Sequence, residues 1–340
     1  MERMSRPDRG RPMTVKHWTR AGLMLTDWCN AACACCYANC GPHGAAWLGA
    51  EQAVAVWAGL VRASPHGCRV HLTGGEPFGR FEHLLAVCRL AQRQGVGPLE
   101  SIETNAFWAD DDGRTRQWLA ALDEAGMGRL SISADPYHQQ FVPIDRPRRL
   151  AQIARQALGP QRVRVRWEDW LADGADTSAL PADERGQLFD RYAARGRYRL
   201  TGRAVDGLTG QMPRSPAAQL ACGPCGHRLL RGGHVHVSAT GEVWPATCLG
   251  IAIGNALLET PAEIWARLDR HWRGSLVVGP LAQHGPTALL ARAGQTGFVP
   301  RAGGYATKCQ LCFELRRHLI QHDEVAEGQL GPMSVYATSC

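Results

Sequence analysis

Between Gly22 and Gly202 the chain repeats one pattern six times: a short run of strand length, a loop, then apolar residues at helical spacing. The runs are Gly22–Asp27, Arg69–Thr73, Leu99–Glu103, Arg129–Ala134, Arg162–Trp167 and Tyr198–Gly202. A helix from about Glu51 carries Val54, Trp57, Leu60 and Val61 on one face. The next, Arg80–Gln94, sets Phe81, Leu84, Leu85 and Cys88 in one stripe, which makes Cys88 a core residue. Further helices are expected over Arg114–Glu124, Arg148–Leu158 and Ala182–Ala194. Strands alternating with helices give a parallel sheet with right-handed crossovers. Six repeats fall short of the eight of a closed barrel. The pattern alone fits a partial barrel and an open doubly wound α/β sheet equally well.

From Asp206 the texture changes. Glycine and proline cluster through Pro216, and a hairpin is expected from His234–Val237 and Glu242–Trp244 around Thr240-Gly241. An amphipathic helix with Leu257, Leu258, Ile264 and Trp265 follows, and a last helix opens at Cys309 and runs through His318. The division expected is a basic segment over 1–20, an α/β unit over 21–205 and a smaller α+β unit over 206–340. The first sixteen residues lack the apolar stretch of a secretion signal, and no apolar run is long enough to span a membrane. A net charge of +7 permits acidic partners, but no lysine–arginine run is dense enough to argue for nucleic acid.

Thirteen cysteines is an odd count, and several are grouped at short spacing, which argues against a disulfide framework and for metal or cluster ligands in a reducing cytoplasm. Cys29, Cys33 and Cys36 form C-x3-C-x2-C on the loop after the first strand. Three thiolates on one short loop can hold three irons of a cubane and leave the fourth open to another ligand, unlike the closed four-cysteine cluster of an electron carrier. No other triple on that loop has this spacing, so Cys35 and Cys40 are read as spare thiols. The second strand ends in Gly74-Gly75-Glu76-Pro77. Two glycines there let the backbone pass close to a ligand, and Glu76 sets a carboxylate acceptor beside them.

These two motifs, each at the end of one of two successive strands, resemble the radical S-adenosylmethionine (SAM) superfamily, well from Ala21 to Val205 and more loosely beyond. The resemblance implies a partial (β/α)6 TIM-like barrel. It implies a [4Fe-4S] cluster on Cys29, Cys33 and Cys36 whose open iron binds the amino and carboxylate groups of SAM. One electron from an external reductant, a flavodoxin or ferredoxin, then yields methionine and a 5′-deoxyadenosyl radical that takes hydrogen from substrate. The residue before the third cysteine is usually aromatic or aliphatic and touches adenine. Here it is Cys35, and Tyr37 is the candidate replacement.

Other candidates sit at the same strand ends, where such folds place their sites. Thr104 and Asn105 close the third strand. Ser133 and Asp135 are candidates for the ribose hydroxyls, and Arg164 or Arg166 for the SAM carboxylate. Tyr137 and His138 are candidate substrate contacts in a catalytic role, against the plainer reading of a capped surface loop.

The second cysteine set is Cys222, Cys225, Cys248, Cys309 and Cys312. It resembles the auxiliary-cluster domains appended to radical SAM enzymes, closer to the short Twitch form than to the two-cluster SPASM form, because no cysteine closely follows Cys312. One auxiliary [4Fe-4S] cluster is expected, with either Cys222 or Cys225 as ligand. Two C-x2-C pairs also suit tetrahedral zinc. Cys340 is read as a mobile terminal residue. The expectation is a cytoplasmic enzyme acting on a small molecule or a peptide, with the auxiliary cluster assisting an oxidation. The competing reading is a non-catalytic iron–sulfur or zinc protein for electron transfer or docking, which would have no use for Gly74-Gly75-Glu76.

Overall fold

The strands owe their placement to two-faced sequences. Ala21 and Leu23, Val70 and Leu72, Leu130 and Ile132, and Val163 and Val165 are buried and point one way. The alternate positions, including His71, Glu103, Ser131 and Arg164, line a cavity on the other side. The computed structural model describes residues 13–196, 198–210, 212–221, 223–245, 248–322 and 328–337.

Five parallel strands follow in order: β1 (Arg20–Met24), β2 (Arg69–Thr73), β3 (Leu99–Thr104), β4 (Leu130–Ile132) and β5 (Val163–Val165). The helices α1 (Ala50–Arg62), α2 (Phe81–Arg93), α3 (Asp112–Glu124) and α4 (Asp145–Leu158) connect them. A short helix, α5 (Glu168–Asp173), and a longer one, α6 (Ala182–Arg195), follow β5. The strand order is β5-β4-β3-β2-β1-β6-β7, where β6 is His234–Val237 and β7 is Val243–Pro245. The sheet is that of a partial barrel, open between β5 and β7.

The sixth parallel strand is not where the repeat pattern puts it. Tyr198–Gly202 forms no strand. Its side chains and backbone hold the cysteine loop instead: Arg199 stacks over the Tyr37 ring at 4.7 Å and Thr201 Oγ1 donates to Tyr37 O at 2.8 Å. Gly202 has φ +56°, outside the extended region, and a Cβ there would stand 2.6 Å from Tyr37 O. The sixth strand is β6, which pairs parallel with β1 through Arg20↔His234 and Gly22↔His236, while β7 turns back antiparallel. The sheet is therefore continuous across the boundary expected near Val205.

The helix expected to include Leu257 and Leu258 begins later, at Pro261. Thr260 and Glu263 form a capping box with proline at the first helical position, which fixes the start and leaves Leu257 and Leu258 outside and exposed. Cys88 is buried on α2. Among the described residues, no helix is long and apolar enough to cross a membrane.

Candidate active site

The loop after β1 is fixed mainly by backbone. Gly75 N donates to Thr26 O and Glu76 N to Trp28 O, both at 2.8 Å. A Cβ on Gly75 would lie 1.9 Å from Trp28 O, and one on Gly74, at φ +146°, 2.4 Å from Thr26 O. The glycines are thus required by contact with the cysteine loop itself, a reason the sequence reading, which assigned them to a passing ligand, did not contain.

This packing brings Cys29, Cys33 and Cys36 to one wall of a cavity of about 570 Å3. Ala31 N donates to Cys29 Sγ at 3.4 Å and Asn105 Nδ2 approaches the same sulfur at 3.6 Å. Burial, and then the Glu76 charge, push the Cys29 thiol up to about 12. Burial, followed by neighbouring thiols, raises Cys33 well above its ordinary value. Cys36 is lowered to about 6, first by the hydrogen bond from the Cys40 thiol and then by Arg203, working against burial. Arg203, which sequence reasoning missed, also donates to Cys33 O at 3.2 Å and Cys40 O at 3.1 Å. Three thiols at this spacing on one wall of the cavity are a donor set suited to an iron–sulfur cubane with one iron free. Cys35 turns aside: its sulfur, Asp135 and His138 each offer an atom within 4.8 Å of the others.

Glu76 is completely enclosed. Oε1 accepts from Phe78 N at 3.2 Å and Thr104 Oγ1 at 3.0 Å, and Oε2 accepts from Asn105 N at 2.6 Å. Burial, partly offset by these bonds, pushes its carboxyl up to about 7. Pro77 starts the buried turn behind it. Gly74, Gly75, Thr104, Asn105, Ser133, His138, Arg164, Arg166 and Tyr37 all line the cavity. Asp135 is buried just behind, taking His138 Nδ1 at 2.8 Å and facing Arg166 at 3.7 Å. Burial alone would raise the Asp135 carboxyl, but attraction to His138 and Arg166 and the His138 hydrogen bond hold it below its usual value. The expectation that Tyr137 touches substrate is corrected. Its ring is fully enclosed against Phe189 and its hydroxyl donates to Phe189 O at 2.7 Å, so it belongs to the core.

The second cysteine group gathers from three separate elements. Cys225 precedes the short helix Gly226–Leu230, Cys248 follows β7, and Cys309 and Cys312 lie on the first turns of the helix Lys308–His322. They are close enough that Cys248, Cys309 and Cys225 all act on Cys312, whose thiol burial first of all pushes up to about 12. Arg316, one turn along, is buried against Cys312 and Tyr336 and donates to Leu249 O at 2.7 Å. Cys222 and Cys340 lie outside the described residues. A recess of about 750 Å3 elsewhere, lined by Ile253, Leu268, Trp272 and Leu330 among others, holds no cysteine.

Comparison with known proteins gives residues 23–158 as a match to the family model described as the radical SAM superfamily. A search of the curated proteins finds no match. Similar solved structures include BtrN in complex with AdoMet and 2-DOIA, at 15% identity over 76% of this chain and 90% of that one, TM-score 0.44. Native anSMEcpe with bound AdoMet and Cp18Cys peptide is similar at 14% identity over 74% and 81%, TM-score 0.43. Streptococcus suis SuiB bound to S-adenosylmethionine is similar at 11% identity over 73% of this chain and 65% of that one, TM-score 0.43.

Proposed function

We propose that this chain, whose residues 23–158 match the model of the radical SAM superfamily, is an enzyme that cleaves SAM reductively and abstracts hydrogen from a small-molecule or peptide substrate. The observation that carries the reading is the convergence of Cys29, Cys33 and Cys36 on one cavity beside the Gly74-Gly75 turn. The cluster, when bound, supplies one electron to the sulfonium of SAM, and the resulting 5′-deoxyadenosyl radical supplies the hydrogen abstraction.

The chain's own residues bind and orient. Cys29, Cys33 and Cys36 hold the cluster, and Asn105, donating toward Cys29 Sγ, steadies it. Glu76, enclosed behind the cavity wall, fixes Thr104 and Asn105 through its hydrogen bonds and so shapes the face on which the methionine ammonium would rest. The forks of Arg164 and Arg166 suit the SAM carboxylate, Ser133 and Asp135 the ribose, and Tyr37 with Cys35 the adenine side. His138, oriented by Asp135, is the candidate group nearest substrate. Arg20, Arg129 and Arg199 also line the cavity, which suits an anionic substrate, whether a metabolite or an acidic peptide segment.

The unit over 206–340 would hold one auxiliary [4Fe-4S] cluster on Cys248, Cys309, Cys312 and either Cys225 or Cys222. Buried Arg316 would offset the negative charge of its thiolates. Such a cluster, held there, would supply the electron acceptor that a net oxidation of substrate requires. The first electron comes from an external flavodoxin or ferredoxin.

The test is anaerobic reconstitution with iron and sulfide, then SAM and dithionite. About eight irons per chain and formation of 5′-deoxyadenosine support the reading. Zinc in place of iron, with no product, overturns it in favour of a non-catalytic metalloprotein.

A further inference from the structure

Away from the cysteines, the same cavity holds three histidines that the reaction above does not use. His71 lies on β2 and His234 and His236 on β6, the two strands flanking β1. Between them β1 presents Gly22, in register with both His71 and His236. With no side chain there, the imidazoles close over the gap: a Cβ on Gly22 would lie 2.4 Å from His236 Cδ2 and 2.7 Å from His71 Nε2. The ring centroids stand 5.4, 5.6 and 4.7 Å apart, and one ring nitrogen of each histidine lies within 4.8 Å of the others.

Packing alone does not account for the trio. His71 and His236 are 6% and 1% exposed, yet His71 Nδ1, His234 Nε2 and His236 Nδ1 are buried without a hydrogen-bond partner. Buried polar atoms are normally satisfied, and three orphans in one cluster call for a ligand.

We infer that His71, His234 and His236 form a binding site for a divalent first-row transition metal, of which zinc is the simplest case. Three neutral imidazoles are a favoured donor set for such ions. Nitrogens about 2.0–2.1 Å from zinc stand roughly 3.3 Å apart at tetrahedral angles, so rings whose nitrogens lie within 4.8 Å of one another would close by up to about 1.5 Å on the metal. Arg199 Nη1 stands 3.5 Å from His236 Nε2 and its side chain is stacked on Tyr37, so it engages that nitrogen and leaves His236 Nδ1 unpartnered. The carboxylate of Glu103, on the cavity wall beyond His71, offsets the added charge. Three protein ligands leave a coordination position facing the cavity, where an anionic or carbonyl oxygen of the substrate would bind. The site rests on the geometry of these histidines and is independent of SAM cleavage.

The test uses the iron–sulfur-loaded protein under anaerobic conditions, incubated with zinc sulfate and desalted. Zinc is counted by mass spectrometry and its surroundings are read by X-ray absorption at the zinc edge, where iron does not interfere. The expected result is one zinc per chain with nitrogen and oxygen neighbours only. His71→Gln and His236→Gln should weaken zinc binding beyond the roughly 10–100-fold loss typical of a supporting group. Gly22→Ala, which leaves all three imidazoles in the sequence, should do the same by displacing the rings. Unchanged iron content in each variant shows that it has folded. Sulfur neighbours around the zinc, or zinc retention unaffected by both histidine variants, overturns the inference. Zinc binding without 5′-deoxyadenosine formation would leave this site standing and sink the proposed reaction.

Discussion

The two cysteine groups are built in opposite ways. The first is local: Cys29, Cys33 and Cys36 sit within one loop, and Gly74, Gly75 and Arg203 pin that loop from outside. The second is assembled from Cys225, Cys248, Cys309 and Cys312 on elements far apart in the chain. The first opens onto a cavity of about 570 Å3 with polar walls. The second is packed beside a buried arginine that is itself tied to Leu249 and Tyr336. A local loop can present a cluster with a vacant position to a ligand, whereas a set closed from several directions suits electron storage.

That contrast can be broken experimentally. Replacing Cys29, Cys33 and Cys36 together with alanine should reduce 5′-deoxyadenosine formation to background and remove about four of roughly eight irons. Survival of cleavage would show that the two groups have been assigned the wrong way round. Cys312→Ala should also remove about four irons but leave SAM cleavage within severalfold of the parent, a split read by iron analysis beside product chromatography. Gly75→Ala should lower stability by about 1–3 kcal/mol through the clash with Trp28 O, measured by denaturant unfolding of the iron-free protein. An unchanged midpoint would mean the loop is less tightly held than the contacts imply. The smallest effect is expected for Arg316→Met. Losing the buried cation should lower the midpoint potential of the second cluster on the order of tens of millivolts, followed by electron paramagnetic resonance during redox titration, and leave the first unmoved.

The first group was legible in the sequence because its information is spacing within nine residues, Cys29 to Tyr37. The parallel sheet was legible for a similar reason: strand and helix periodicities are local. The sixth strand was not. Tyr198–Gly202 has a strand-like composition, but Arg199, Thr201 and Gly202 are committed to Tyr37, a contact that no local pattern encodes. Tyr137 illustrates the same limit, since a tyrosine beside a strand end reads as exposed until Phe189 covers it. A signal for the histidine cluster did exist. His71, His234 and His236 each fall on the polar alternation of a strand, as Arg164 does on β5. It stayed unread because β2 and β6 are neighbours of β1 only in the folded sheet.

The pairing of β6 with β1 has a consequence for how the molecule is made. During synthesis the cysteine loop leaves the ribosome long before residues 234–237 exist, so the edge of β1 that will receive them stays open, with Gly233 O not yet there to take Thr19 N. Unpaired edges invite wrong partners, and contacts this distant in sequence form slowly. A fragment ending near Val205 should therefore clump when expressed alone, and metal loading of the early loop is best timed after the late strand has zipped into place.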